Sequence, residues 1–357
     1  MGCNWNEIIR QFNVDATSQP YGEGHINDTF LAEMGSGKYI LQRINHHVFQ
    51  DPEKLMENIV RVTEYLHNKI ANRGGCPERE TLIVIKTVNG KNLYCTEDGD
   101  YFRMYRFVEN SKTYQAVENP EQFYESGKAF GRFQNDLADF PAGKLYDTIE
   151  NFHHTANRFE KFLEAVEEDR AGRKASVESE IDFVLSRKND TKVIVDLIEK
   201  GEIPVRVTHN DTKLNNILFD NETDKALCVI DLDTVMPGSM LYDFGDAIRF
   251  GASTAAEDEC CLEKVTCSLP LFEAFTKGFL EELKQSITPK EKELLPFSAK
   301  LITLECGMRF LTDYLNGDIY FKIHRPGHNL DRCRTQFRLV TDMEEKMQEL
   351  QKIVSQY

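Results

Sequence analysis

Two carboxylates, an amide and an amine lie within one short stretch of this sequence, at Asp211, Lys213, Asn216 and Asp231. Carboxylate and amide oxygens are hard ligands of the kind that suit Mg²⁺, which keeps its waters and bridges phosphate groups. A carboxylate beside such a site can accept the proton of a hydroxyl. If these side chains converge, the chemistry that they favour is phosphoryl transfer.

A predicted β-hairpin would bring them together. Its arms are the apolar runs Ile217–Phe219 and Ala226–Ile230, and the polar residues 221–224 between them are typical of a turn. When the arms pair antiparallel their outer ends meet, so Asn216 is expected close to Asp231. The alternative is that these Asp and Asn residues only shape turns, as they often do.

The spacing of the polar residues favours the chemical interpretation. Residues 209–216 are His-Asn-Asp-Thr-Lys-Leu-Asn-Asn. Asp211, Lys213 and Asn216 thus stand at the intervals of the protein-kinase catalytic loop, H-R-D-x-K-x-x-N, and Asp231 follows where kinases place a metal-binding Asp. Asp233 is a further candidate, which either touches a second metal or caps the following loop.

Composition limits the classes of function. The chain has 357 residues, enough for one large domain or two modest ones, and its formal net charge is −16. A net negative surface argues against nucleic acid and against an anionic membrane as partners. The charge does not exclude ATP, because a local Lys and Mg²⁺ can neutralise phosphates.

The nine cysteines are irregularly spaced and form no C-x-x-C pair, so we expect reduced thiols rather than a zinc site. No long apolar run is present, which predicts neither a signal peptide nor a membrane span. We therefore expect a cytoplasmic protein.

The first third of the chain predicts a small antiparallel sheet with one inserted helix. The helix opens at Asp51-Pro52 and carries a single apolar stripe at the helical period. Asn89-Gly90 is a strong signal for a tight turn between two strands. The predicted strands are a short one before Gly22, then Ile26–Glu33, Lys38–Arg43, Thr81–Val88, Lys91–Thr96 and Asp100–Val108.

From about residue 117 the pattern changes to helices of period 3.6. They are predicted at Pro120–Leu137, Phe159–Glu168, Ile181–Lys200, Leu271–Leu283 and Leu295–Leu315, with a last apolar stripe on Phe337, Val340, Met343, Met347, Leu350 and Val354. We expect that stripe to dock into the core. The predicted fold class is α+β with a two-lobe, protein-kinase-like layout. Residues 1–110 would form a nucleotide-binding lobe, and residues 111–357 a helical lobe with the catalytic loop.

A glycine-containing turn joins the first two strands at Tyr21–Phe30. Gly22 and Gly24 would let backbone N–H groups approach phosphate oxygens. Asn27 would brace this loop. Two glycines in a hairpin also suit a plain turn.

The third strand departs from the kinase pattern. Kinases place a phosphate-binding Lys there, whereas this position holds Gln42, with Arg43 on the opposite face by strand alternation. Either Gln42 hydrogen-bonds a phosphate, or another cation such as Lys38 or Lys213 takes over. Glu57 on the inserted helix is where an ion-pair partner would lie, although a solvated helix charge is an equal alternative.

Several segments resemble the aminoglycoside phosphotransferase and choline kinase group, and more closely the bacterial N-acetylhexosamine 1-kinases. The segment after the metal-binding Asp is more specific than the catalytic loop, which any kinase could share. The matching segments are Tyr21–Thr29, Tyr39–Gln42, Arg206–Leu218, Ile230–Asp233, Met236–Leu241, Asp243–Thr254, Leu295–Ser298 and Glu305–Leu311.

The resemblance implies an enzyme that uses ATP and Mg²⁺ to phosphorylate the anomeric hydroxyl of N-acetylglucosamine or N-acetylgalactosamine. Asp211 would be the base, Lys213 would offset phosphoryl charge, and Asn216 and Asp231 would bind the metal. The resemblance also implies a hinge that meets adenine, at Phe107, Val108 and Glu109. It implies a sugar pocket lined by the C-terminal segment, for which the main candidates are Arg309 and Tyr320 and the secondary ones His25 and Asp246. The alternative for each is a buried helix residue in an ion pair.

Two rival functions remain open. One is a kinase of another small molecule, such as an aminoglycoside, choline or homoserine. The other is a kinase-like binding protein without catalysis, which the missing third-strand Lys would favour. Intact Asp211, Asn216 and Asp231 argue against the second rival. The oligomeric state is not readable from the sequence.

Overall fold

The structure is a computed structural model that describes residues 5–22, 26–35 and 37–357. Its strands are β1 (Thr17–Pro20), β2 (Asp28–Met34), β3 (Gly37–Ile44), β4 (Val84–Ile85), β5 (Tyr94–Cys95), β6 (Tyr101–Arg106), β7 (Ser111–Lys112), β8 (Arg206–Thr208), β9 (Ile217–Asp220), β10 (Ala226–Val229) and β11 (Met236–Gly238).

Its α-helices are α1 (Trp5–Arg10), α2 (Pro52–Asn72), α3 (Pro77–Glu80), α4 (Pro120–Asp136), α5 (Thr155–Glu168), α6 (Glu178–Leu185), α7 (Val193–Glu199), α8 (Met240–Gly251), α9 (Leu269–Leu283), α10 (Pro289–Asn316), α11 (His328–Glu345) and α12 (Met347–Ser355). This mixture of a small antiparallel sheet and many helices confirms the predicted α+β class.

Two compact units account for the chain. Unit 1 contains Met1–Thr113, Asp139–Ile149 and Ile217–Met236. Unit 2 contains Tyr114–Ala138, Glu150–Asn216 and Pro237–Tyr357. The sheet lies in unit 1 and the long helices α4, α5 and α8–α12 lie in unit 2. The predicted division into two lobes at residue 110 stays a prediction.

Unit 1 is built on an antiparallel sheet of strand order β1-β2-β3-β6-β4, with β5 also paired to β6. Successive side chains of β6 point to opposite faces. Phe102 and Met104 are buried in a cluster that includes Ile9 and Phe12, which belong to α1 and the turn after it. Arg103 therefore lies on the other face of the sheet.

Helix α2 confirms the predicted inserted helix. The Asp51 side chain caps it by accepting a hydrogen bond from the Lys54 N–H, and Pro52 occupies the first turn. The predicted apolar stripe is buried, at Leu55, Ile59, Val62, Leu66 and Ile70.

The predicted hairpin around Asn89-Gly90 is only partly correct. The turn forms, with the Gly90 N–H donating to the Thr87 carbonyl and a positive φ of 75° at Gly90. The flanking strands are much shorter than predicted, however, and β4 and β5 each pair with β6. Both segments pair with strand β6 instead of with each other, so pairing with a third strand prevails over the local hairpin signal.

The hairpin that follows the catalytic loop forms as predicted. Strands β9 and β10 pair antiparallel, with Ile217 opposite Val229. Strand β7 adds to the other edge of β9. Asp220 caps the turn, since its Oδ1 accepts from the Glu222 and Thr223 N–H groups at 3.1 and 2.8 Å.

In unit 2, two helical predictions need correction. The single helix predicted at 181–200 is two, α6 and α7, because the polar stretch 186–192 breaks the helix. Helix α10 begins at Pro289, earlier than predicted, since Thr288 and Glu291 form a capping box there. The last apolar stripe spans α11 and α12, and apart from Met347 its residues are buried, as expected of core docking.

None of the helices in the described ranges is long and apolar enough to cross a bilayer.

Candidate active site

The loop after β8 folds back on itself and brings three predicted residues together. Lys213 Nζ lies 2.7 Å from Asp211 Oδ1. The amide nitrogen of Asn216 donates to the Asp211 carbonyl at 2.8 Å and to Asp211 Oδ2 at 2.9 Å. Residues 214–216 form a 3₁₀ turn that makes this return possible. The kinase-like spacing thus corresponds to one constellation within unit 2.

Asp211 is held as an anion and Lys213 as a cation. Burial would raise the pKa of Asp211, but the charge and hydrogen bond of Lys213, with help from His209 and Asn216, lower it below 3.8. The charge of Asp211 in turn raises the pKa of Lys213 above its ordinary value. The two side chains remain 28% and 34% exposed. Asp211 can therefore orient an incoming hydroxyl and take its proton in the transition state.

Asp243, on α8, fixes the backbone of this loop, and the sequence-based prediction did not include it. Its Oδ2 accepts from the His209 N–H at 3.0 Å, and its Oδ1 accepts from the Asn210 N–H at 2.7 Å. Gln134 donates to Oδ2 at 2.7 Å. Asn210 has a φ of 66°, a conformation that residues other than glycine rarely adopt. These bonds hold that strained residue beside Asp211.

Asp246 supports the same loop from one helical turn further along α8. Its Oδ2 accepts from the Thr212 N–H at 2.9 Å, and its Oδ1 accepts from Arg249 at 2.8 and 3.0 Å. Asp246 is buried. The predicted contact of Asp246 with the acceptor sugar stays a prediction. The contacts in the structure join Asp246 to the Thr212 backbone and to Arg249, so they support the loop.

Close packing sets the position of α8. A Cβ placed on Gly245 would lie 2.5 Å from the Ser298 carbonyl oxygen and 2.7 Å from an Ile302 side-chain atom of α10. Glycine is therefore required for this approach. The helix that carries both loop-supporting carboxylates is thereby fixed against α10.

A buried histidine touches the catalytic loop from another direction. His153 Nδ1 lies 3.0 Å from Glu305 Oε1, and its Nε2 lies 3.3 Å from the Asn210 carbonyl oxygen. Both neighbours are acceptors, so both ring nitrogens must carry hydrogen and the ring is an imidazolium. No sequence motif predicted a role for His153, because its partners lie far away in the chain.

The pKa values agree with that assignment. Burial would lower the pKa of His153, but the charge and hydrogen bond of Glu305 raise it above 6.5. Asp246 adds to the rise, and Arg309 opposes it. Burial would raise the pKa of Glu305, but His153, Arg309 and Arg158 together lower it below 4.5.

We expect the His153–Glu305 pair to stabilise the fold in a pH-dependent way. A raised folded pKa makes the His153 contribution complete below pH 6.5 and lost as the pH rises through that pKa, whereas the Glu305 contribution is complete above pH 4.5. His153→Gln should therefore lower the free energy of unfolding most between these values, by about 2 kcal/mol. Urea titrations at a series of pH values would measure the difference.

The exposed His47 offers a matched control, since His47→Gln should leave the unfolding free energy unchanged at every pH. A difference between His153→Gln and the wild type that does not shrink at alkaline pH would contradict the charged pair.

Arg309 and Tyr320, which were predicted to contact the acceptor sugar, lie next to each other. The guanidinium carbon of Arg309 lies 5.5 Å from the ring centres of Phe152 and Phe321 and 5.9 Å from that of Tyr320. Tyr320 is 64% exposed. The segment after α10 that carries Tyr320 is held in place, because buried Asp313 accepts hydrogen bonds from the N–H groups of residues 319, 320 and 321.

In unit 1, Asp231 and Asp233 have different environments. Asp231 is exposed and has left-handed backbone angles of 58° and 59°. Asp233 is buried, and its Oδ1 lies 2.5 Å from Arg103 Nη1. Its Oδ2 accepts from the Asn27 amide at 2.6 Å. The predicted metal-binding role of Asp233 stays a prediction, while its observed partners are a cation and an amide.

The side chain of Asn27 bonds residues outside the glycine-containing turn, and its predicted bracing of that turn stays a prediction. In addition to the bond with Asp233, its Oδ1 accepts from the Asn45 N–H at 2.9 Å. Gln42 donates to Thr29 Oγ1 at 3.1 Å and accepts from Arg103 Nε at 3.0 Å. A network of polar side chains therefore connects β2, β3 and β6 with the turn after β10.

Lys38, predicted as an alternative phosphate contact, and Glu57, predicted as an ion-pair partner, both have charged neighbours in the structure. Lys38 lies 3.5 Å from Glu33 at the exposed end of the β2–β3 hairpin. Glu57 pairs with Arg61 one helical turn away, which agrees with the alternative of a solvated helix charge.

Two of the predicted nucleotide-binding segments lie side by side. The ring of Tyr21, which precedes Gly22, meets the ring of Phe107 edge-on, with 5.9 Å between their centres. Val108 is buried and Glu109 is exposed. Gly22 has a φ of 75°, as a turn glycine requires. Gly24 and His25 lie outside the described residues.

The predicted metal ligands have suitable chemistry. Asn216 uses its amide nitrogen on Asp211, so the oxygen is the atom that would bind a cation. Mg²⁺ needs few protein oxygens, because waters and phosphates complete its shell. In the described residues, no three His, Cys, Asp or Glu side chains form a metal cluster. Asn216 and Asp231 belong to different units, and their convergence stays a prediction.

Comparison with known structures supports the kinase-like fold. The microcompartment-associated aminopropanol kinase matches at a TM-score of 0.64 and 15% identity, covering 97% of each chain. An aminoglycoside phosphotransferase from Alicyclobacillus acidocaldarius matches at 0.64 and 12%, covering 98% of this chain and 96% of that one. Amicoumacin kinase in complex with AMP-PNP, Ca²⁺ and Ami matches at a TM-score of 0.55 and 12% identity, covering 92% of this chain and 88% of that one.

A family model also matches this sequence. Residues 17–262, which are more than half of the chain, match the model described as the phosphotransferase enzyme family. The matched range includes the glycine-containing turn, Gln42, the catalytic loop and α8. The chain belongs to the phosphotransferase enzyme family.

Proposed function

We propose that this protein is an ATP-dependent kinase that phosphorylates the anomeric C1 hydroxyl of an N-acetylhexosamine in the cytoplasm. The observation that carries the proposal is the Asp211–Lys213–Asn216 constellation, an ionised carboxylate paired with a lysine and hydrogen-bonded to an amide. The sugar assignment has further support from the residues around Arg309 and from the resemblance of the motifs.

The reaction that this geometry supports is direct transfer. The bond between the γ-phosphorus and the ADP oxygen breaks as a bond forms from phosphorus to the acceptor oxygen, and the hydroxyl proton passes to Asp211. Lys213 lies beside Asp211 and offsets negative charge. Most of the acceleration should come from positioning and electrostatics, because the low pKa makes Asp211 a weak base. An anomeric hydroxyl is more acidic than an ordinary alcohol and so suits a weak base.

ATP and Mg²⁺ are the implied cofactors. AMP-PNP in the amicoumacin kinase complex supports nucleotide use by this fold. The residues that would hold Mg²⁺ are Asn216 and Asp231, and the ion would neutralise charge on the phosphates. The chain's own contribution is to orient the acceptor and accept its proton at Asp211.

The acceptor region favours a neutral, hydroxyl-rich molecule. Arg309 carries a fixed positive charge among three aromatic rings. Its guanidinium can donate hydrogen bonds to hydroxyl or acetamide oxygens, and the exposed ring of Tyr320 offers an apolar face to a sugar ring. A cationic acceptor such as choline would be repelled by Arg309.

An acceptor screen tests the proposal. The purified protein is incubated with ATP, Mg²⁺ and one of N-acetylglucosamine, N-acetylgalactosamine, kanamycin, choline, ethanolamine or homoserine, and ³¹P–¹H correlation identifies the phosphorylated oxygen. We expect a sugar 1-phosphate, with phosphorus coupled to the anomeric proton. A parallel preparation of Asp211→Asn controls for contaminating kinases.

The screen also separates the rivals. Phosphorylation of kanamycin or choline without any hexosamine would overturn the sugar assignment and leave the kinase assignment intact. ATP turnover that no acceptor stimulates would favour a binding protein without catalysis.

A further inference from the structure

The face of the sheet opposite the α1 cluster carries a continuous polar line. In the register of the strands, Thr29 lies opposite Gln42, and Gln42 lies opposite Arg103. Gln42 bonds both neighbours, at 3.1 Å to Thr29 and 3.0 Å to Arg103. Arg103 therefore stands one strand away from the position where kinases have their lysine.

Arg103 is a fully enclosed cation. It is 1% exposed and among the largest fully buried side chains of the described residues. Its Nη1 lies 2.5 Å from Asp233 Oδ1, and its guanidinium lies 5.3 Å from the ring centre of Tyr105. The carboxylate of Asp233 therefore supplies the opposite charge for this buried guanidinium.

The partner of this cation belongs to the turn that carries Asp231. Asp231 begins a 3₁₀ turn, Leu232–Thr234, in which Leu232 and Asp233 are buried. Asn27 holds the second oxygen of Asp233, and Asn58 donates to the carbonyl of Val235 at 3.0 Å. Because Asp231 has left-handed backbone angles that L-residues rarely adopt, the turn depends on such partners.

A buried ion pair is weak evidence for a contribution to stability, since desolvation of both charges opposes their attraction. Fixing one arrangement of the chain is a better-supported use of such a pair. Here the arrangement is a turn whose exposed carboxylate is two residues from the pair.

We propose that Arg103 and Asp233 are positioning residues for Asp231 rather than ligands of metal or nucleotide, and that β6 instead of the third strand supplies the buried cation of this network. The proposal rests on the proposed function, because it assigns the pair a role in binding Mg²⁺-nucleotide. Side chains that orient metal ligands are typically worth about 10–100-fold in metal affinity or activity.

Two double variants test the proposal. Arg103→Met with Asp233→Leu removes both charges together and so avoids an unpaired buried ion. Arg103→Met with Gln42→Lys moves the cation to the third strand, opposite its original position. Arg43→Met is the matched control, because Arg43 neighbours Gln42 but lies on the opposite face, paired with Asp28.

The readouts are the melting temperature, the affinity for Mg²⁺-AMP-PNP by titration calorimetry, and the separate KM values of ATP and acceptor. We expect the charge-free variant to fold and to bind Mg²⁺-AMP-PNP about 10–100-fold more weakly, with the KM of the acceptor unchanged. The variant with the moved cation should recover most of the affinity, and Arg43→Met should equal the wild type.

Wild-type affinity in a folded charge-free variant would overturn the proposal. If that variant does not fold, the moved-cation variant decides alone: recovered affinity supports the proposal, and weak binding or failure to fold overturns it. Since calorimetry needs no acceptor, this result is distinct from failure of the proposed function, which would appear in the acceptor screen as the absence of a sugar 1-phosphate from the wild-type protein.

Discussion

Replacing Asp211 by Asn is expected to lower kcat by about 10²–10⁴-fold, the usual contribution of a positioned general base. Asn keeps the size of the side chain but cannot take the hydroxyl proton. The fold should survive, because the lost ion pair with Lys213 is partly exposed and such pairs contribute little to stability. Steady-state kinetics with the acceptor identified by the screen would measure the effect, with thermal melting as the check on folding.

A suitable control is Asp182→Asn, which removes an exposed carboxylate from α6 in the same unit. It should leave kcat and the melting temperature unchanged. Turnover by Asp211→Asn at the wild-type rate would refute the assignment of Asp211 as the base.

Replacing Asp243 by Asn should reduce both activity and stability. Each Asp243 oxygen accepts a backbone N–H of the catalytic loop, and one also accepts from Gln134. An amide in either orientation sets a donor against one of the backbone donors, which costs about 1–3 kcal/mol when buried. The strained Asn210 would then lose its support, and kcat should fall by about 10–100-fold, as for other side chains that orient a site.

Asp342→Asn distinguishes a loop effect from a general loss of stability. Asp342 is also buried in unit 2 and accepts a backbone N–H, from Cys267 at 2.7 Å, but its partners Cys267 and Lys346 lie outside the catalytic loop. This variant should lose a comparable amount of unfolding free energy and keep its kcat. Equal loss of kcat in both variants at a temperature where both are folded would contradict the positioning role of Asp243.

Local patterns were sufficient for much of the fold. Helix α2 and the hairpin of β9 and β10 form where they were predicted, because a cap, an apolar period and a turn lie within each segment. The pattern was insufficient at 81–96, where β4 and β5 both pair with β6. The residues within 81–96 do not indicate whether β4 and β5 pair with each other or with β6.

The candidate site also combines residues that local patterns identify with residues that only tertiary contacts identify. Asp211, Lys213 and Asn216 were identified from the sequence because they lie within six residues, so that one turn of backbone brings them into contact. The i, i+3 carboxylates Asp243 and Asp246, on a helix that is otherwise largely apolar, were a signal that could have pointed to buried supports.

The sequence by itself determined the type of chemistry, since residue types and short spacings decide which groups can meet within one loop. Only the tertiary structure decided what holds those groups in place. His153 reaches Asn210 across 57 residues, and Arg103 reaches Asp233 across 130. Such contacts depend on how separate elements pack, and burial of a charge is stable only when packing supplies its partner.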